Sequence, residues 1–269
     1  MKKKFSIIVV LILIAVLTFI ICAEQTAAAQ GQNVLEKVIS NKKVRVGILT
    51  DYAPWGSRNA QGEYEGFDVD IAYSLGEALG VDVELISIEA PARVPSLVSE
   101  KVDVIIGCIT PTNERAKTVN FTIPYASEGL VLMVWADNED IKSYHDLAGK
   151  TVAIVRGGTP DVGIAKAAPD ADIIRFDTIA DAFTAFKSKK AEVFVEEELM
   201  VYYQVAQDPR FKTVGEPFHR GLISFGVKKN DQEWLNYLNN FLTNLRFTGE
   251  LTEIYEKWFA HKPASLVIN

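Results

Sequence analysis

The stretch VRVGILTDYAPWGSRNAQGEYEGFDVDIAYSLGEALGVDVELISI, residues 44–88, places β-branched runs at 44–49 and 83–88 on either side of a segment with helical spacing. Within that segment Ala72, Leu75 and Leu79 fall at i, i+3 and i+7, which puts apolar side chains on one face of a helix. Two short strands with a helix between them predict a βαβ unit, and so an α/β chain. VDVIIG, residues 102–107, supplies a further strand.

The same alternation returns downstream. TVAIV (151–155) reads as a strand, GGTP as a turn, and IIRF (173–176) as a strand that leads to Thr178, a good helix N-cap. Ile179, Ala182, Phe183 and Phe186 then fall at i, i+3, i+4 and i+7, and EVFV (192–195) follows as a strand. Residues 233–259 are strongly helical, with Trp234, Leu238, Phe241 and Leu245 on one face and Gly249 as a break. A chain of 269 residues has room for two cores. We expect the first part of one lobe at 34–134, a second lobe at 135–217, and a return to the first at 218–262. The crossings fall in GLVLMVWAD (129–137) and EPFHRGLISFGV (216–227).

The N-terminal residues stand apart. Lys2, Lys3 and Lys4 precede an apolar run from residue 5 to 23, and Ala27 and Ala29 fit a small-x-small cleavage pattern. Residues 1–29 therefore read as an export signal, with a retained anchor as the alternative because the run approaches the ~20 residues that span a bilayer. Lipidation at Cys22 is disfavoured by the bulky Ile20 and Ile21 before it. The chain carries a formal charge of −7, and removal of three lysines and Glu24 with the signal makes the mature part more acidic still. Such a surface does not attract nucleic acid. Cys108 is then the one cysteine left, so no internal disulfide is available to the mature chain, and it is expected as a small buried hydrophobe.

His145, His219 and His261 are scattered, no metal-ligand spacing is present, and GxSxG is missing, so neither a metal, another cofactor nor a hydrolase triad is expected. Gly157 and Gly158 are not followed by GK[ST], which excludes a nucleotide loop. In TPTNERAK, Thr112 is positioned to cap a helix whose first turn holds Arg115, so a planar guanidinium and backbone N–H groups are expected to meet a carboxylate there. Asp68 and Asp70, just before an apolar helix, read as caps and dipole partners.

In order and spacing, VRVGILTDYAPW, GFDVDIA, KVDVIIGCITPTNERAKTVNFTIPY, DLAGKTVAIVRGGT and LRFTGELTEIYEKWF resemble the bacterial extracellular solute-binding proteins that feed amino-acid ABC transporters. The resemblance covers nearly all of the mature chain. It implies a two-lobed periplasmic-binding-protein fold with two hinge crossings, an amino-acid ligand between the lobes, and delivery outside the cytoplasm to a transporter permease. Membrane contact would come through that permease or a retained anchor, and a monomer is expected.

Residue by residue, the resemblance implies that Arg115 binds the ligand's α-carboxylate. The turn of Gly107, Ile109 and Thr110 would offer carbonyls to the ammonium, and N–H groups with the Thr110 hydroxyl to the carboxylate. Tyr52 and Trp55 resemble the aromatic platform of the cleft, with core packing the alternative for Trp55. Gly157, Gly158 and Thr159, a turn into a helix, resemble a second carboxylate clasp, and neighbouring Arg156 is read as surface or as added positive potential. Glu197 stands where the family has an aspartate that pairs with the ammonium. Ala90 and Arg93 replace residues that are often aromatic and leucine, and Arg93 resembles acidic-amino-acid receptors. Leu49 stands where basic-amino-acid receptors often carry an acid. An acidic or polar amino acid is therefore expected, with glutamate and aspartate leading. Two alternatives stay open: a prephenate or arogenate (cyclohexadienyl) dehydratase on the same fold, with Glu197 as proton donor, and a sensory or adhesive binder.

Overall fold

The computed structural model describes residues 33–259; the expected export segment at 1–29, Cys22 and His261 lie outside them. Helix α1 (Val34–Asn41) starts at Asn33, whose side chain accepts the backbone N–H of Glu36, and leads into strand β1 (Lys43–Ile48). A small ribbon of β2 (Ser57–Arg58) and β3 (Tyr64–Glu65) precedes helix α2 (Phe67–Leu79) and strand β4 (Asp82–Ser87). β1 and β4 pair in parallel from Lys43↔Asp82 to Ile48↔Ser87, as the βαβ reading expects. Helix α3 (Arg93–Val98) leads to β5 (Val104–Ile109), which is buried along its whole length and pairs in parallel with the other side of β1. A strand covered on both faces reads as an unbroken apolar run. It begins two residues later than expected, because the Asp103 carboxylate turns back to accept the backbone N–H, Nε and Nη2 of Arg45.

After the short helix α4 (Asn113–Ala116) and β6 (Val119–Phe121), strand β7 (Ala126–Trp135) leaves the first half of the sheet. The second half contains β8 (Thr151–Val155), α5 (Thr159–Ala167), β9 (Asp172–Phe176), α6 (Ile179–Lys187), β10 (Val193–Glu197) and α7 (Glu198–Gln207). Thr178 caps α6 by accepting the N–H of Asp181, and Ile179, Ala182 and Phe186 are buried along the apolar face.

Strand β11 (Phe211–Lys228) returns antiparallel to β7. Its first part pairs with β7 and its last residues pair with β5 and β6, so the sheet order is β4-β1-β5-β11-β7-β10-β8-β9. The two central strands thus carry the chain between the halves. Register shifts between Val214 and Phe218, and again between Phe218 and Gly221, bend β11 where it passes from one half to the other.

Helices α8 (Gln232–Phe247) and α9 (Glu250–Phe259), separated at Gly249, pack back on the first half. Trp234 Nε1 donates to the Asp103 carbonyl, and Trp258 Nε1 donates to the Asp70 carboxylate. Among the described residues no helix is long and apolar enough to cross a membrane.

Candidate functional site

The two lobes meet at the C-terminal ends of β1, β5, β8 and β10, where the strands stop and turns begin. Leu49, Tyr52, Ala90, Arg93 and Cys108 line one side, and Val155, Gly158, Pro160, Ile179, Glu196 and Glu197 the other, around a narrow cleft. Larger grooves lie on the outer face between α2 and the C-terminal helices, but they are open, and the acids Glu77 and Glu250 line both.

Among the described residues, the side chains of Arg115, Thr110 and Tyr52 bond across the cleft. Arg115 Nη2 donates to the Gly157 carbonyl at 2.8 Å while its Nη1 donates to Thr110 O at 2.9 Å. The hydroxyls of Thr110 and Thr159 lie 2.8 Å apart. Tyr52 reaches Glu196 and Glu197. The Asp51 carboxylate lies near the first N–H groups of α6, at Ile179 and Ala180, which favour its ionised form. Gly157 forms the turn into α5 with φ of 68°, a left-handed conformation that glycine adopts without cost, and Gly158 is the N-cap. Arg156 stays on the surface, paired with Asp177.

Arg115 sits in the four-residue helix that Thr112 caps, as expected. Burial and the nearby Arg93 guanidinium pull its pKa down to about 10, with Glu197 opposing them, so it remains a cation at neutral pH.

Arg93 is 5% exposed and does not run along the helix surface. Its Nη1 donates to the carbonyls of Gly107 and Cys108 at 2.9 and 2.6 Å, and its Nε to Ala90 O. Nη2 makes no hydrogen bond among the described residues. The Gly107 carbonyl, expected to receive an ammonium, is thus held by a guanidinium.

Trp55 does not line the cleft. It is fully buried against Phe67, Tyr125 and Phe259, at ring separations of 5.3, 6.3 and 5.3 Å, in an aromatic cluster of the first lobe. Its turn explains this: the N–H groups of Trp55 and Gly56 both bond Tyr52 O, so the chain reverses and the two rings point apart. The Ile109 side chain is likewise buried beneath α3, in a cluster with Leu97 and Val119.

The reading of Asp68 as a cap is also overturned. Gly66 is the N-cap of α2, and the buried Asp68 carboxylate accepts the backbone N–H of Cys108 at 3.0 Å and the Tyr125 hydroxyl at 2.6 Å. Cys108 has φ of 43°, a conformation that costs a non-glycine residue on the order of 1–3 kcal/mol. Asp68 grips its N–H and Arg93 its carbonyl, which holds the kink at the cleft wall.

Burial raises the Asp68 pKa to about 7. Its folded-state pKa therefore lies above the unfolded one, so ionisation disfavours the folded state and stability falls as pH rises from about 4 toward 7. Asp68→Asn removes that dependence. Urea unfolding of both proteins across this range should show the variant gaining on wild type as pH rises, and parallel curves would contradict it.

Glu197 is buried at the end of β10, as the N-cap of α7. Glu196, which sequence reasoning passed over, lines the cleft as well. Adjacent strand residues point to opposite faces, but the strand ends here and turns into a helix.

Residues 44–261 match the profile of the bacterial extracellular solute-binding proteins, family 3. The chain belongs to this family. An ABC transporter glutamine-binding protein of Bacillus subtilis (strain 168) is 30% identical over 274 residues, covering 98% of this chain and 100% of the relative. A glutamine-binding protein of Geobacillus stearothermophilus is 33% identical over 223 residues, covering 81% and 85%. Among solved structures, an ancestral arginine-binding protein bound to glutamine superposes with a TM-score of 0.79 at 34% identity, over 82% of this chain and 99% of that one. The family is extracellular and its members bind solutes; the chain is a solute-binding protein and not an enzyme.

Proposed function

We propose that this protein binds an L-α-amino acid between its lobes outside the cytoplasm and presents it to an ABC-transporter permease. The observation that carries the reading is the separation of charge. The guanidinium groups of Arg93 and Arg115 come from the first lobe, and the carboxyls of Glu196 and Glu197 come from the second. A zwitterion presents its own two charges to such a cleft in one orientation. In this reading the carboxylate bonds Arg115, Thr110 and the start of α5 at Gly158 and Thr159, the ammonium pairs with Glu197, and Tyr52, Leu49 and Ala90 surround the aliphatic carbons.

For the side chain we favour a terminal oxygen acceptor, with glutamine ahead of glutamate. Arg93 already serves three backbone carbonyls with three of its five N–H groups, which leaves the two of Nη2 for a side-chain oxygen. Asp51 and Glu89, next in sequence to Tyr52 and Ala90 of the cleft wall, are close enough that each disfavours the other's charge, so a further negative charge beside them is unfavourable. The glutamine-binding relatives agree with this order. A thermal-shift panel of the twenty amino acids and several dicarboxylates tests it, since a ligand that binds only the folded state raises the melting temperature. The largest shifts should come from glutamine and glutamate. A lysine or arginine shift above both would overturn the side-chain reading, and no shift with any amino acid would overturn the function.

A further inference from the structure

The Tyr52 hydroxyl stands between two carboxyls. It touches Glu196 Oε2 at 2.7 Å and Glu197 Oε2 more closely, and Glu196 Oε2 also accepts the Glu197 backbone N–H at 3.3 Å. All three side chains are buried. A phenol has one proton, so it can donate to one of these oxygens and must accept at the other. Two ionised carboxylates would leave the second contact as lone pair against lone pair. Three oxygens joined in this way require a second proton.

We infer that Glu196 carries this second proton when the lobes are closed, taken from solvent as they close, so that Glu197 is the carboxylate left to meet the ligand's ammonium. The inference deepens the reading above and rests on it.

The surrounding charges decide which glutamate is protonated. Glu197 lies within reach of the Arg115 charge on α4, whose guanidinium bonds the carbonyls of Thr110 and Gly157. The groups acting on Glu196 are Glu197 and the Tyr52 phenol, with no cation among them. From the other packed elements, Cys108 at the end of β5 and Glu128 on β7 both lie near Glu197, and Glu198 on α7 lies near Glu128. Arg93 faces Asp68, Cys108 and Arg115. Strand β8 (Thr151–Val155), which pairs with β10, carries no titratable group. Burial and the neighbouring carboxyl both push Glu196 well above the usual carboxylate range, in agreement with the hydrogen-bond count.

Tyr52 belongs to the first lobe and both glutamates to the second. Opening the cleft removes the phenol and solvates the carboxyls, which returns Glu196 to ordinary acidity and releases the proton. Closure then takes up as much as one proton at any pH between the open and closed pKa values. Affinity falls as pH rises through that window, by up to about tenfold per pH unit.

Calorimetry of L-glutamine binding at pH 7, in two buffers of different ionisation enthalpy, counts the protons. Wild type should take up between about half and one proton per ligand bound. Glu196→Gln keeps a donor and an acceptor beside Tyr52 and should bring the uptake close to zero, while Glu197→Gln should lose most of the binding. Uptake near zero in wild type, or uptake unchanged in a folded Glu196→Gln, overturns the inference. Failure of glutamine to bind counts against the ligand reading instead. Infrared difference spectra with L-glutamine, or with the amino acid that gives the largest thermal shift, then place the proton: a protonated-carboxyl band that appears on binding and is missing in Glu196→Gln supports the inference, and difference spectra identical in the two proteins overturn it.

Discussion

Arg115→Ala is expected to weaken amino-acid binding by about 2 to 5 kcal/mol, the range for removing one partner of a buried charge pair. The substitution removes two things at once. The ligand's carboxylate loses a donor that offers a planar fork, and the closed cleft loses the bond from Nη2 to Gly157 O that joins the lobes. Arg115→Lys keeps the charge without the fork and should fall between wild type and alanine. The Thr112 cap needs only the backbone N–H of residue 115, so the short helix should persist in either variant. Calorimetry reads the loss and circular dichroism checks the fold. A loss under tenfold in a folded Arg115→Ala would remove Arg115 from the anchor role.

Much of the architecture was legible because its signals are local. β-branched runs marked six strands of the sheet, Thr178 marked the start of α6, and Gly249 marked the break between α8 and α9. What could not be read depends on the direction of turns. Tyr52 and Trp55 are three residues apart and equally aromatic, yet the reversal at Gly56 sends one ring to the cleft and the other to the core. Asp68 has the sequence context of a cap, but with Gly66 in that place its carboxylate turns inward to the N–H of a residue 40 positions away. Glu196 was hidden by the period of two along a strand, which fails where β10 ends. Arg93 was singled out as a departure from its relatives' usual leucine, but no sequence pattern shows that most of its donors are spent on the backbone.

That last point shapes what Arg93→Leu should do. The buried guanidinium holds the carbonyls of Ala90, Gly107 and Cys108, and Nη2 remains for a ligand oxygen. Leucine matches the aliphatic stem but strands these carbonyls and removes the side-chain reader. Binding of glutamine or glutamate should fall by roughly 1.5 to 3 kcal/mol, the range for a hydrogen bond to a charged group. A short apolar ligand such as alanine gives Nη2 nothing to bond, so it should lose much less, and the ratio of the two losses reports recognition apart from support of the wall. The unfolding free energy of the ligand-free variant measures that support separately, because unpartnered buried carbonyls destabilise the folded state whatever is bound. Competition binding on wild type and Arg93→Leu with glutamine, glutamate, aspartate, arginine and alanine reads the ranking. If both proteins rank these in the same order with the same spacing, Arg93 acts only as a brace for the Gly107–Cys108 turn, and the specificity must come from Glu197, Ala90 and the rim.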